Sequence, residues 1–242
     1  MNILSIDTTT KTASVALQTN NNIIEKTVDN EITHSEKLLP LIDSILKKQN
    51  LNINDIEKYI VLNGPGSFTG VRIGLATVKA FAMVNKKQII SISSLEAIAI
   101  SIYMKLNTKK EKYILSLIDA RNDRVYYGLF KVYNENSKIH IQNESGLNND
   151  LIENVLDNLL KLKLKEDDLI IAGNCINSFK ELILNKYHNT LLYNIYPTTT
   201  ELIKYHNIIN NLEKYTFDTY TLDANYVRPS QAERIKNEQN NK

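Results

Sequence analysis

The chain has 242 residues, 43% hydrophobic and 23% charged, with 29 Lys and Arg against 27 Asp and Glu for a net charge of +2. At about 150 residues per domain this is one large or two small domains, long enough to bury a core without staples. So small a charge gives no broad basic field and excludes a dedicated nucleic-acid coat protein. A single cysteine, Cys175, excludes an internal disulfide and fits a reducing compartment. No basic stretch precedes the apolar run that Asp7 interrupts, and the apolar residues 89–102 are broken by Ser and Glu. Neither a signal peptide nor a membrane span is expected, so the expectation is a cytoplasmic protein without membrane contact.

Residues 3–6 read as an apolar strand. Residues 13–17 alternate small or polar with apolar, and 23–28 follow an Asn-rich turn. Links this short make an antiparallel meander. Thr33-His34-Ser35-Glu36 has the form of a capping box. Leu38, Leu41, Ile42, Ile45 and Leu46 then recur with the period of an amphipathic helix running to about residue 49. Pro40 should bend it, and Leu39 widens its apolar stripe beyond what one core face needs. A strand at 60–62 leads into Gly64-Pro65-Gly66-Ser67-Phe68-Thr69-Gly70, with a helix expected over 71–84. Its polar residues are Arg72, Thr77 and Lys79, so burial on several sides is expected. Gly70, Gly74, Ala76 and Ala80 are small enough for another backbone to come close. A strand at 89–92 and a helix at 95–105 complete the order βββαβαβα.

Near residues 107–111 the composition turns polar, which sets boundaries at 1–107, 108–225 and a polar segment and tail at 226–242. Strands at 113–117, 125–132 and 139–142, a helix at 151–162, a strand at 169–171 and a helix at 179–185 follow. The order βββαβα thus occurs twice, each time opened by an apolar strand ending in Asp: Ile6-Asp7 and Ile118-Asp119. The expected class is α/β, with two such lobes and mixed sheets.

The glycine-rich segment is no P-loop, because Val71-Arg72 follow Gly70 where Lys-Ser/Thr is needed. Nor is it a dinucleotide fingerprint, since Gly70 stands one residue too far from Gly66. It reads as a tight turn with close helix packing. Asp7-Thr8-Thr9-Thr10 has groups that can hold a metal-phosphate, but it has no Gly to let an anion reach the backbone. Satisfaction of turn backbone groups is the plainer reading. His34, His140, His188 and His206 are far apart and Cys175 has no near partner, so no local metal-ligand pattern exists. Ser67 is second, not third, in its glycine-flanked pentapeptide, which excludes a nucleophile elbow there. A wide apolar stripe beside an almost wholly apolar helix points instead to a protein partner, with ordinary core as the alternative.

Five segments together resemble the TsaB (YeaZ) family: Ile6-Asp7-Thr8-Thr9, the run from His34 to Asp43, Gly64-Pro65-Gly66-Ser67-Phe68-Thr69-Gly70-Val71-Arg72-Ile73-Gly74, Ser93-Ser94-Leu95-Glu96-Ala97 and Ile118-Asp119-Ala120-Arg121. The likeness is specific over the first half and fades to element order after Gly128; Tyr226-Val227-Arg228-Pro229 fits a short C-terminal family segment. The resemblance implies two actin-like lobes of the sugar-kinase/Hsp70/actin superfamily. It implies a non-catalytic scaffold in the machinery that forms threonylcarbamoyladenosine (t6A) 3′ of the tRNA anticodon. TsaC makes the threonylcarbamoyl-adenylate, the paralogue TsaD transfers the group, and the ATPase TsaE joins the TsaB–TsaD heterodimer.

The implied partner surface is the first two helices, shared with TsaD or a second copy in a homodimer, and tRNA is reached through the complex. The residues expected there are Leu38, Leu39, Ile42, Ile45 and Leu46 on the first helix, and Val71, Leu75, Val78 and Ala82 on the second. Asp7, Thr8, Thr9 and Asp119 are implied to be remnants of a nucleotide loop, with no metal, no catalytic residue, and ATP only at a junction with a partner. The His-x-x-x-His metal site of TsaD falls on Ser94 and Ile98, neither an imidazole. Ala172-Gly173-Asn174 matches only part of the adenosine segment of nucleotide-binding relatives. The competing expectations are an ATPase or phosphotransferase of the same fold, for which Asp7 and Asp119 speak, and a metal-dependent hydrolase, which lacks a ligand cluster.

Overall fold

In the computed structural model, which describes residues 1–20, 22–29 and 34–227, the opening meander forms as the alternation dictates. Strands β1 (Ile3–Asp7), β2 (Thr12–Thr19) and β3 (Asn22–Asp29) pair antiparallel in that order. Helix α1 (His34–Lys48) leads to β4 (Lys58–Leu62), and α2 (Phe68–Asn85) to β5 (Ile89–Ile92). Both strands add in parallel, β4 on β1 and β5 on β4. Parallel strands buried on both faces need continuous apolar runs, which β1, β4 and β5 supply.

After α3 (Ser94–Leu106) the pattern repeats with β6 (Lys112–Asp119), β7 (Arg124–Glu135), β8 (Lys138–Asn143), α4 (Ile152–Lys161), β10 (Leu169–Gly173), α5 (Ile176–Lys186), β11 (Leu191–Asn194) and α6 (Thr199–Ile208). A polar strand, β9 (Asn148–Leu151), pairs with β7, and a two-residue strand, β12 (Thr216–Phe217), pairs with β5. The sheets run β12-β5-β4-β1-β2-β3 and β11-β10-β6-β7-β8. This is the α/β fold expected, with the element pattern repeated and mixed sheets.

Period-two alternation sorts the strand residues between three cores. Leu4, Ile6, Tyr59 and Val61 meet α1 and α2 on the outer face of the first sheet. Leu115, Leu117, Leu169 and Ile171 meet α4 and α5 outside the second. Ile3, Ile60, Ile92, Ile114, Phe130 and Ile170 join one cluster between the sheets. That middle layer departs from a division at 107/108. Helix α3 packs on β6 and β7, whereas α6 packs back on β1 and β2. The chain also returns through β12 to Leu222, which is buried in the outer core of the first sheet. The two expected parts therefore exchange elements, because each sheet needs a helix on its inner face.

Helix α2 starts at Phe68, ahead of the expected 71, because the Ser67 hydroxyl accepts from Gly70 N (3.2 Å) and caps it there. Nor is α2 buried all round: Arg72, Ala76, Ala80, Met83 and Val84 are exposed. Helix α5 likewise begins before the expected 179. The Thr33 cap and most of the 226–242 segment lie outside the described residues. No helix among the described residues is long and apolar enough to cross a membrane.

Candidate functional site

The turn after β1 is sealed from two sides. Asp7 is buried, and its Oδ1 accepts from Thr9 N (2.8 Å) and Thr9 Oγ1 (2.6 Å), an Asx turn of the kind expected. Thr8 Oγ1 donates to Gly70 O at 2.6 Å, and Ser67 N donates to Thr9 O at 2.7 Å. A Cβ at Gly70 would run into Thr8 O, and one at Gly66 into Thr9 O. The glycines of the segment thus let the start of α2 lie directly against the turn. From the other side Tyr196 OH stands 2.6 Å from Thr9 Oγ1. Thr9 gives its one proton to Asp7, so Tyr196 donates to Thr9. Burial and the Asp7 charge hold the Tyr196 phenol far above its usual range.

The equivalent turn after β6 is open. Asp119 is exposed; its Oδ1 accepts from Arg121 N (2.8 Å), and its own N donates to Asn174 Oδ1 (3.0 Å). Arg121, Asn122 and Asp123 all have positive φ, at 64°, 53° and 55°, which costs a non-glycine chain energy at each position. Asp7, Thr8 and Thr9 are therefore brought together as expected, while Asp119 sits in an unlike environment. Thr9 holds Asp7 Oδ1, Ser67 N holds Thr9 O, and Tyr196 holds the Thr9 hydroxyl. Ser94 and Ile98, the positions matching the TsaD metal ligands, are both fully buried in α3. No cluster of three His, Cys, Asp or Glu suited to a metal occurs among the described residues.

The helix residues expected to meet a partner divide sharply. Leu38, Ile42, Ile45, Leu46, Val71, Leu75, Val78 and Ala82 all lie in the core between α1, α2 and the first sheet, at 6% exposure or less. Their assignment to a partner surface is corrected: the apolar period marks the side that faces the sheet. Leu39 alone of the nine is exposed, at 54%. What α2 presents outward is Arg72, Ala76, Ala80, Met83 and Val84. At its N-terminal end Arg72 lies over the rings of Phe68 (3.9 Å) and Tyr226 (5.5 Å), and its Nε donates to Tyr226 OH at 2.7 Å. The sequence conceals both contacts because Tyr196 lies 187 residues from Thr9 and Tyr226 lies 154 residues from Arg72; the Tyr226-Val227 segment is the one visible pointer.

This arrangement defines a class: a two-lobed α/β protein of the YeaZ fold whose first strand-end turn is closed. A Pseudomonas aeruginosa protein described as similar to the peptidase YeaZ superposes with a TM-score of 0.75 at 20% identity, over 94% of this chain and 99% of that one. YeaZ from the same organism gives 0.72 at 19%, over 93% and 100%. The model of the family described as "TsaD: tRNA N6-adenosine threonylcarbamoyltransferase" matches residues 23–225. The chain belongs to this family, and its curated relatives include TsaB proteins. The tRNA threonylcarbamoyladenosine biosynthesis protein TsaB of Haemophilus influenzae is 35% identical over 130 residues, 52% of each chain. That of Bacillus subtilis is 29% identical over 76% of this chain and 75% of its own. The chain thus spans about half the length of the Haemophilus relative and three quarters of the Bacillus one.

Proposed function

We propose that this chain is a non-catalytic subunit required for t6A formation on tRNA, pairing with a TsaD-type transferase through the outward face of α1 and α2. The observation that supports it most is the closed turn. Asp7 Oδ1 and Thr9 belong to an internal hydrogen-bond chain ending at Tyr196, and Asp7 is the one buried carboxylate among the described residues, which speaks against nucleotide chemistry at this turn. The pairing surface is then Leu39 with Ala76, Ala80, Met83 and Val84, where small side chains let a partner helix approach closely. TsaE joins the pair, tRNA is bound by the assembly, and the chain carries neither metal nor cofactor of its own. The work is done in the cytoplasm.

The test is reconstitution with TsaC, TsaD and TsaE of the same organism, ATP, threonine, bicarbonate and unmodified tRNA, reading t6A nucleoside after digestion. We expect product only when this chain is present, and none when TsaD is omitted. Full product without this chain, or product from this chain without TsaD, overturns the proposal.

A further inference from the structure

We infer that His206 is an acid-sensitive latch at the joint between the two sheets: the C-terminal end of α6 is held to both of them while this buried imidazole is neutral, and is released when the ring takes a second proton. The latch needs only the fold and is independent of the pairing proposed above.

Both sheets reach the end of α6. From the second, Lys138 at the start of β8 donates to Asn207 O (3.1 Å), and Asn210 N donates to Ile139 O (2.9 Å). Ile139 and Ile209 form a parallel bridge beside these bonds, and His140 Nδ1 lies 3.1 Å from Asn210 Nδ2. From the first sheet, Lys58 at the start of β4 reaches His206 in the last turn of α6, Nζ to Nε2 at 3.4 Å. His206 itself is buried. The ring therefore stands where a helix that packs on β1 and β2 is stitched to a strand of the opposite sheet.

Geometry fixes the state of the ring. An ammonium only donates, so Nε2 accepts from Lys58, and the single ring proton stands on Nδ1, 3.0 Å from Asn207 Oδ1, which accepts it. A second proton would sit on Nε2 and face the Lys58 ammonium. A helix C-terminus ordinarily favours a protonated histidine, but here Lys58 and Lys138 already occupy that end and their charges act on the ring. The nearby acids are engaged elsewhere. Glu25 of β3 and Glu201 lie at the N-terminal end of α6, where Glu201 also meets Lys105 of α3. Glu96 of α3 faces Tyr215 and Lys214, Glu135 of β7 faces His140, and Glu57, next to Lys58 in the chain, meets the N-terminus. Asp7 is at the opposite end of β1 from Lys58. Burial first, then the two lysine charges, hold the His206 pKa below its ordinary value against the opposing Asn207 bond. An unfolded histidine titrates near about 6.5. The unfolded chain thus binds a proton that the folded one refuses, and stability present above that pH is lost as pH falls below it.

The experiment measures amide hydrogen exchange of the full chain at about pH 7.5 and 5.5, above the range in which carboxylates titrate, as protection factors so that the chemical rate cancels. His206→Gln is run beside the parent, because its amide oxygen can accept from Lys58 but takes no proton. We expect protection over residues 205–211 and 138–141 to fall at least about fivefold in the parent at the lower pH, while β1 and β4 keep theirs. In His206→Gln the same residues should stay within about twofold. Should the glutamine variant not fold, Lys138→Met takes its place. It removes one of the two charges on the ring, so the acid loss should shrink at least about twofold. A parent loss under about twofold, an equal loss in the variant, or a loss spread evenly over the chain overturns the latch. The first would mean that α6 stays seated whatever the ring does, the second that another group responds to acid, and the third that acid loosens the whole fold rather than the joint.

Discussion

The two strand-end turns occupy matching places in a duplicated fold, yet one is packed like core and the other like surface. At Asp7 the carboxylate is buried, its partner Thr9 is held by Tyr196, and the start of α2 lies against the turn. At Asp119 the carboxylate is exposed, and the turn closes on itself through Arg121 and Asn174. The difference is marked in the segments that follow. Glycines at 66 and 70 let α2 lie against the first turn, whereas the second turn meets the segment ahead of α5 through the Asn174 side chain, which accepts from Asp119 N. A duplicated two-lobed chain can thus convert one of its two loops into a structural joint and leave the other free.

The largest effect expected from that contrast is at Gly70. A valine there meets Thr8 O with no room for the backbone to withdraw, because Thr8 Oγ1 also bonds Gly70 O. Gly70→Val should cost about 3 kcal/mol or more, as overpacking against a fixed backbone does, or leave no folded protein. Asn174→Ala, which removes the matching contact at the open turn, should cost under about 1 kcal/mol. Urea unfolding of both variants measures the gap; equal costs would erase the distinction between the turns.

Next in size is the Tyr196 hydroxyl. Tyr196→Phe leaves buried Thr9 without its donor, for an expected loss of about 1–3 kcal/mol. Asp119→Asn, on the exposed turn, should stay within about 0.5 kcal/mol of the parent. A Tyr196→Phe variant as stable as the parent would show that the first turn is closed by the α2 side alone.

The segment that presents Tyr196 is itself anchored by Glu25 on β3, and this gives the contrast a pH dependence. Glu25 accepts from Ser14 Oγ (2.8 Å), Thr199 N (2.9 Å), Thr199 Oγ1 (2.6 Å) and Thr200 Oγ1 (2.9 Å), at the N-terminal end of α6. Burial pushes the carboxyl up, but these bonds outweigh it, and its pKa lies below the ordinary carboxylate value. A depressed folded pKa means the stabilisation is fully present above the unfolded value, about 4.3, and is lost as pH falls through the folded one. Glu25→Gln should therefore cost about 1–2 kcal/mol at pH 7 and progressively less below pH 4. A cost that does not shrink in acid would mean that shape, not charge, is what α6 requires.

What could be read in the sequence follows from how local each cause is. The meander and α1 announce themselves by period, the parallel strands by short apolar runs, and the Asp7 turn and glycine segment by residue type. The polar strand Asn148–Leu151 carries no period, and α6 hides because it buries Thr199 and His206 along with Leu202; its one local signal is the capping box of Thr198 and Glu201. The face of α2 misleads for a physical reason. Apolar spacing reports the side with the most hydrophobic area, which turns to the sheet, while an outward face built of Ala76 and Ala80 carries little signal. Tyr196 is nearly two hundred residues from Thr9, and only the exchange of α3 and α6 between the sheets brings it there.

The smallest effect concerns the one cysteine, and it asks how open the second turn is. Cys175 is buried just ahead of α5, where a helix N-terminus ordinarily favours the thiolate. Burial, reinforced by the Asp119 charge, instead pushes its thiol up to about 12. At pH 8 the thiolate fraction is then about three orders of magnitude below that of an ordinary thiol near 8.5, and labelling by a disulfide reagent should be negligible until the protein is unfolded. Asp119→Asn should change this little, since burial is the larger cause. Rapid labelling of the folded parent would mean that the turn and the start of α5 lift together, so that the second loop is a locally opening element rather than an exposed but fixed one.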